Sequence, residues 1–151
     1  MKIVIGSDHR GFNVKQRIGG LLRTLSHEVR DLGVASGDTS VDYPDFAFEA
    51  ARLVGTGAAE RGILICGTGI GMCIAANKVA GVRAACVHDL ITAEMSRRHN
   101  DANVLCMSAD MLGEELIDRI VRIWLSTNFD AGRHQRRVEK IVQFETDQKK
   151  L

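Results

Sequence analysis

Six consecutive residues, Cys66-Gly67-Thr68-Gly69-Ile70-Gly71, lie between an apolar run that reads as a strand and a segment of helical period. Three alternating glycines let the backbone turn with its N–H groups facing inward, which makes a nest for an anion. The spacing is not that of a dinucleotide fingerprint, since G-x-G-x-x-G would need glycine where Met72 stands, although Asp89 follows near the usual ribose-binding distance. The loop also lacks the Gly-Lys-Ser/Thr ending of a P-loop. A tight structural turn accounts for the same glycines, so the loop alone leaves both readings open. Cys66 adds chemistry: a thiol at a strand end faces the ligand crevice, and the start of a helix favours its anion by up to ~2 kcal/mol. That would suit a general base, against the competing reading of an inert buried cysteine closing a strand.

Three further groups carry chemistry. Asp8-His9-Arg10-Gly11 offers a carboxylate for sugar hydroxyls and an imidazole for an anion, although Ser7 or Asp8 could simply cap the next helix. In Arg97-Arg98-His99-Asn100-Asp101, His99 is expected near the mouth of the same site or on a subunit boundary, where an imidazole can open a sugar ring. A basic helix end complementing the dipole is the alternative there. Arg133 and Arg137 stand at i and i+4, spaced to grip one phosphate from two sides, and a solvated basic face is the default for such a run.

The elements that must position these groups follow from the periodicity. Short Val- and Ile-rich runs alternate with helical segments, the pattern of βα units around a parallel sheet. Strands are expected near Lys2–Gly6, His27–Leu32, Gly62–Cys66, Arg83–Val87 and Asn103–Met107. Helices are expected near Phe12–Leu25, Pro44–Val54, Gly71–Val79, Ile91–Arg98, Glu114–Thr127 and Arg133–Glu145. Right-handed crossovers then place helices on both faces. The expectation is an α/β fold, a Rossmann-like three-layer αβα sandwich with a doubly wound five-stranded parallel sheet in the order 2-1-3-4-5. Ligands of such sheets bind beyond the carboxyl ends of the strands, where the first and third strands part, and Ser7 to His9 and Cys66 to Gly71 both fall there.

A chain of 151 residues suits one domain, residues 1–151. Hydrophobic residues make up 45% and charged residues 26%, and no apolar run approaches the ~20 residues of a membrane span. The opening Met-Lys-Ile-Val-Ile-Gly reads as a strand and not as a signal peptide, so a cytoplasmic protein is expected. Four cysteines without a C-x-x-C pair suit free thiols in a reducing compartment. A net charge of +1 with one Trp and one Tyr argues against a nucleic-acid partner. The tail Asp147–Leu151 is polar and expected to fray. The helix from Arg133 carries Val138, Ile141, Val142 and Phe144, an apolar set that needs cover, and its stretch 133–146 is expected to pack on a partner subunit.

Taken in order, these motifs resemble the ribose-5-phosphate isomerase B and galactose-6-phosphate isomerase family. The resemblance rests on Gly6-Ser7-Asp8-His9 with Gly11-Phe12, Asp42-Tyr43-Pro44, and Ile65 to Gly71 with Ile74-Ala75-Ala76-Asn77-Lys78. It continues in Ser96-Arg97 with His99-Asn100-Asp101, and in Gly132-Arg133-His134-Gln135 with Arg137-Val138. It implies an aldose–ketose isomerase in which Cys66 moves the proton between C1 and C2 and Thr68 with His99 assists ring opening. It also implies that Asp8, Tyr43 and Asn100 meet the sugar, that Gly67, Gly69, Ile70 and Gly71 hold the enediolate charge, and that His9, Arg133 and Arg137 hold phosphate. No metal and no organic cofactor is implied. The assembly implied is a homodimer or tetramer with sites drawn from two subunits. One branch of the family carries a glutamate base at the position of Met72, so Cys66 marks the cysteine branch. The family pattern also has an arginine after the fifth strand where Asp110 stands, and the reversed charge is expected to weaken the hold on phosphate. Ribose 5-phosphate is the first expectation, with six-carbon sugar phosphates or a noncatalytic sugar- or nucleotide-binding module as alternatives.

Overall fold

A computed structural model describes residues 1–148; residues 149–151, the end of the tail expected to fray, lie outside the described residues. The element order is β1 (Lys2–Ser7), α1 (Phe12–Thr24), β2 (Glu28–Asp31), α2 (Tyr43–Gly55), β3 (Arg61–Cys66), α3 (Ile70–Ala76), β4 (Ala84–Cys86), α4 (Leu90–Asn100), β5 (Val104–Ser108), α5 (Glu114–Ser126) and α6 (Arg133–Gln148). All strand pairs are parallel. Successive strand residues point to opposite faces, so two separate cores form. Ile3, Ile5, Ile63, Ile65, Leu105 and Met107 meet α1, α4 and α5 on one face, around Trp124. Val4, Leu64, Val104 and Cys106 meet α2 and α3 on the other, where Ala47, Ala50, Ala51, Ala75 and Ala76 let the helices lie close. Each large aliphatic side chain buried this way contributes ~1.5–3 kcal/mol.

The sheet is doubly wound as expected, but its order is β2-β1-β3-β5-β4, not 2-1-3-4-5. Burial explains the exchange. Val104–Ser108 is buried at every residue and apolar up to Met107, which a strand needs when both faces are covered, whereas Ala84–Cys86 is short, small and only partly buried. The richer strand takes the inner place beside β3, with Gly62 opposite Val104 and Cys66 opposite Ser108.

Outermost, β4 exposes a free edge, and α3 closes it. The Asn77 side chain accepts from the Ala84 N–H and donates to the Ala84 carbonyl, both at 2.9 Å. One turn earlier the Cys73 thiol reaches the same carbonyl at 3.4 Å. That use of Asn77 ends α3 at Ala76, three residues short of its expected end at Val79. By contrast α6 stands apart: His134 is its one buried residue among those described, and Ile141, Val142 and Phe144 are exposed.

Where β1 turns into α1, Gly11 sits directly on β3. A Cβ there would lie 2.5 Å from the Ile65 carbonyl oxygen, too close for any rotamer to relieve. Overpacking of this kind costs ~1–3 kcal/mol, and a chain of this size loses ~2–4 °C of Tm per kcal/mol. Gly11→Ala is therefore expected to lower the melting temperature by about 2–12 °C in a calorimetric scan.

Candidate active site

At the carboxyl ends of β1 and β3 the chain gathers one set of polar groups. Ser7 pairs with Ile65, so Asp8 and His9 leave β1 beside the start of the Cys66 loop. Cys66 is buried, and its sulfur accepts the Gly69 N–H at 3.2 Å. That contact needs Gly69 at φ +78°, and a Cβ there would also strike the Met107 carbonyl carbon at 2.9 Å, so glycine is required twice over. Thr68 is exposed, and its Oγ1 accepts the Ile70 N–H at 3.3 Å. The N–H groups of Gly71 and Met72 precede the first regular helical bond, from Cys73 N–H to the Gly69 carbonyl at 3.1 Å, and so remain available to an anion.

Around this loop the walls are fixed by single contacts. Asp8, buried, spends Oδ1 on the Gly11 N–H at 3.1 Å, while no described residue donates to Oδ2. Asp8 thus braces the turn before α1 without capping the helix, whose N-cap is Gly11 with no side-chain cap bond, and keeps one oxygen for a ligand. His9 accepts the Val41 N–H on Nδ1 at 3.2 Å, which leaves Nε2 as the protonated, donating nitrogen of the neutral ring. Tyr43 lies across Gly71, where a Cβ would meet its Cζ at 2.6 Å, and its hydroxyl has no partner among the described residues.

Asp110 reaches the mouth from the β5–α5 loop. Its carboxylate does not confront a phosphate as a bare charge, as expected from the sequence. Instead Oδ2 accepts from Arg10 Nε at 2.8 Å and Nη2 at 2.5 Å, so the position is neutralised by a pairing that sequence reading missed. The residues involved are 100 apart in sequence, and only the sheet order brings their loops together.

His99, Asn100, Arg133 and Arg137 do not join this set within one chain. A crossover helix runs antiparallel to its strands, so α4 delivers His99 and Asn100 to the amino end of the sheet, where the Gly62 N–H bonds the Asn103 carbonyl at 2.9 Å. Cys66 lies at the opposite end, four residues along β3 and roughly 13 Å away along the strand at ~3.3 Å per residue. Of the two placements expected for His99, the mouth of the same chain's site is therefore excluded. At the far end His99 stacks on His134, with centroids 4.1 Å apart and planes 5° from parallel. Arg98 holds Asp130 at 3.0 Å and 3.2 Å beside them, and Arg133 lies 3.5 Å from the His134 ring. Sequence reading named His134 and Arg98 within motifs but gave them no contact, and missed Asp130; their partners depend on where α6 turns back.

His99, Asp130 and His134 bring ligand atoms within 4.8 Å of one another. Parallel rings cannot aim their in-plane lone pairs at one ion, and Asp130 is already engaged by Arg98, so the geometry is that of a stack and not of a metal centre. Between α6 and the β4 edge lies a cleft of about 820 Å³, lined by Asn77, Ala84, Asn100, Ile141, Phe144 and Glu145 among others, away from Cys66.

The comparisons with known proteins decide the class. A family model described as Ribose/Galactose Isomerase matches residues 3–141. The chain belongs to the ribose/galactose isomerase family. The solved ribose-5-phosphate isomerase B of Clostridium thermocellum is 48% identical, covers 97% of this chain and 99% of its own, and superposes with a TM-score of 0.94. The ribose-5-phosphate isomerase B of Mycoplasma genitalium, solved with bound ribulose-5-phosphate, is 47% identical over 95% of each chain with a TM-score of 0.92. A D-erythrulose-4-phosphate isomerase of Pectobacterium atrosepticum is 39% identical over 149 residues, 99% of this chain and 98% of its own. This chain is accordingly a sugar-phosphate aldose–ketose isomerase of the ribose-5-phosphate isomerase B type.

Three thiols and one imidazole of this isomerase stand apart from the ordinary. The Cys73 thiol is held down to about 7 by its hydrogen bonds with Cys106, the Cys86 backbone and Asn77, against the opposing effect of burial. Burial first, then the neighbouring thiols, pushes Cys86 up to about 11 and Cys106 well above the usual thiol range. Limited alkylation with iodoacetamide at pH 7.5, followed by peptide mapping, should label Cys73 well before Cys86 and Cys106; equal labelling of the three would contradict the hydrogen-bond pattern.

Desolvation, then the charges of His99, Arg133 and Arg137, keep the His134 imidazole below its ordinary value of 6.5, with Asp130 opposing. The unfolded chain takes up this proton near 6.5 while the folded one does not, so the contact is fully stable above that pH and weakens as pH falls through it. Amide protection factors in the first turns of α6 should therefore drop between pH 7.5 and 5.5, and His134→Phe should flatten the dependence.

Proposed function

We propose that this isomerase interconverts ribose 5-phosphate and ribulose 5-phosphate through an enediolate, with Cys66 as the base, in a cytoplasmic homodimer whose sites each draw on two copies. The observation that carries this reading is the division of the candidate residues between the two ends of one sheet: a buried thiol with its oxyanion donors at one end, and a histidine with two arginines at the other. A second copy placing its α4–α6 end over the first copy's Cys66 loop completes both sites at once. The exposed apolar side chains of α3 (Ile70 and Ile74) and α6 (Ile141, Val142 and Phe144) supply faces for that contact. The whole chain acts as one isomerase domain, with α6 packed on the partner. Four free cysteines suit a reducing compartment.

In the reaction, His99 of one copy takes the anomeric hydroxyl proton as the bond from C1 to the ring oxygen breaks and returns it to that oxygen, with Thr68 of the other copy assisting. Cys66 thiolate then removes the C2 proton of the open aldose. Charge moves to O1, where the N–H groups of the Gly67–Gly71 loop, with Gly69 and Ile70 shaping it, stabilise it in a site that excludes water. Cys66 returns the proton to C1 while the O2 proton passes to O1, giving the ketose. Asp8, Tyr43 and Asn100 hold the sugar hydroxyls, and His9, Arg133 and Arg137 hold the phosphate. The route uses only groups of the protein. Ribose 5-phosphate is preferred because the ligand-bound Mycoplasma relative carries its ketose. The Pectobacterium relative supports a four-carbon sugar phosphate as the second reading, and a panel of four- to six-carbon sugar phosphates separates them.

Cys66→Ala should lower solvent deuterium incorporation at C2 by about 10² to 10⁴ fold, the usual loss for a general base. His99→Ala should be nearly inactive as well. Mixed one to one after dissociation and reassembly, the two dead variants should recover about a quarter of wild-type activity, since half of the dimers are mixed and each mixed dimer holds one intact site. No recovery would mean that both residues act within one chain, which overturns the shared site.

A further inference from the structure

The Arg10–Asp110 pair closes over Gly67, next to the reactive thiol, from two different loops. A Cβ on Gly67 would lie 2.8 Å from Asp110 Oδ2 and 3.0 Å from Arg10 Nε, so the pair rests flat on this glycine. Asp110 is itself fixed there: its N–H donates to the Gly67 carbonyl at 3.2 Å, and the Ser108 hydroxyl donates to the same carbonyl at 2.5 Å. Both guanidinium bonds go to one carboxylate oxygen and use only the Nε and Nη2 edge. Nη1 has no acceptor among the described residues, and the Arg10 side chain is 58% exposed.

We propose that Arg10 is a substrate-binding residue of this isomerase, an anion clamp for the phosphate monoester end of the sugar, and that Asp110 is the positioning residue that aims it. An exposed arginine normally loses much rotamer freedom on meeting a ligand; here the carboxylate has already set the fork, so less is lost. The site chooses the phosphate end over the reacting end by depth. The carbons to be deprotonated must reach Cys66, which is 5% exposed, so the dianionic end is left at the rim, where Arg10 stands beside His9. Asp110 cancels the long-range charge of Arg10 but not its directed N–H donors, so the clamp selects by hydrogen-bond geometry more than by attraction at a distance. This assignment rests on the isomerase reading of the same mouth.

Calorimetric titration with inorganic phosphate and with unphosphorylated D-ribose tests it without turnover. Arg10→Ala should raise Kd for phosphate about tenfold and move that for ribose less than twofold. Asp110→Asn should raise Kd for phosphate by a few fold, and the double variant should match Arg10→Ala, because Asp110 acts through Arg10. Arg10→Lys, which keeps the charge without the fork, should fall between wild type and Arg10→Ala. Equal loss for phosphate and ribose would make Arg10 a structural residue, unchanged phosphate affinity would remove it from the site, and tighter phosphate binding in Asp110→Asn would show that the carboxylate repels the ligand. Turnover of ribose 5-phosphate by the wild type is measured alongside. Tight phosphate binding without turnover would sink the isomerase assignment and leave the clamp standing, whereas normal turnover with Arg10-independent binding would sink the clamp alone.

Discussion

Everything at the mouth depends on how closely β1 and β3 end together. Gly11 lets α1 begin in contact with the Ile65 carbonyl, and Gly69 lets the next loop fold back against Met107. Between those two close approaches there is room for one sulfur, one carboxylate and a few backbone N–H groups, and little else. The packing of two apolar cores on opposite faces holds the strand ends in place, so the stability of the fold and the geometry of the loop have the same source.

Much of this was legible in the sequence because parallel strands buried on both faces advertise themselves as apolar runs, and because loop glycines in a strand-to-helix turn carry a backbone meaning. The Cys66 loop, Asp8 and His9 were placed from those signals, and the strands and helices matched within a few residues. Strand order was not legible in the same way. It turned on the difference between Val104–Ser108 and Ala84–Cys86, a matter of relative burial that periodicity does not measure. Nor could the sequence say that Asp110 meets Arg10, or that α6 returns to stack His134 on His99, since both contacts join distant segments. The position of His99 was open between the mouth of the site and a subunit boundary, and helix direction takes it away from its own chain's Cys66 loop.

The proposed sharing of each site between two copies would make one end of the chain answerable to the other end of its neighbour. The stack of His99 on His134 and the Arg98–Asp130 pair do not touch the chain's own Cys66, yet they set where α6 and its arginines stand. The isolated chain is thus well packed on both faces of its sheet, and its cores need no partner, while the proposed reaction does.

The amide of Asn77 lies against Ala84 much as another strand would, offering one donor and one acceptor at the right spacing, with the Cys73 thiol on the same carbonyl. A sheet whose rim is occupied by a side chain of its own cannot recruit a stranger's backbone there. Copies of the protein are therefore steered to meet through helices and side chains, contacts that can be specific and can stop at a fixed number of subunits. They are steered away from edge-to-edge extension at β4, which has no natural end and leads to fibres. One asparagine, placed one turn after a cysteine, gives this small sheet a boundary.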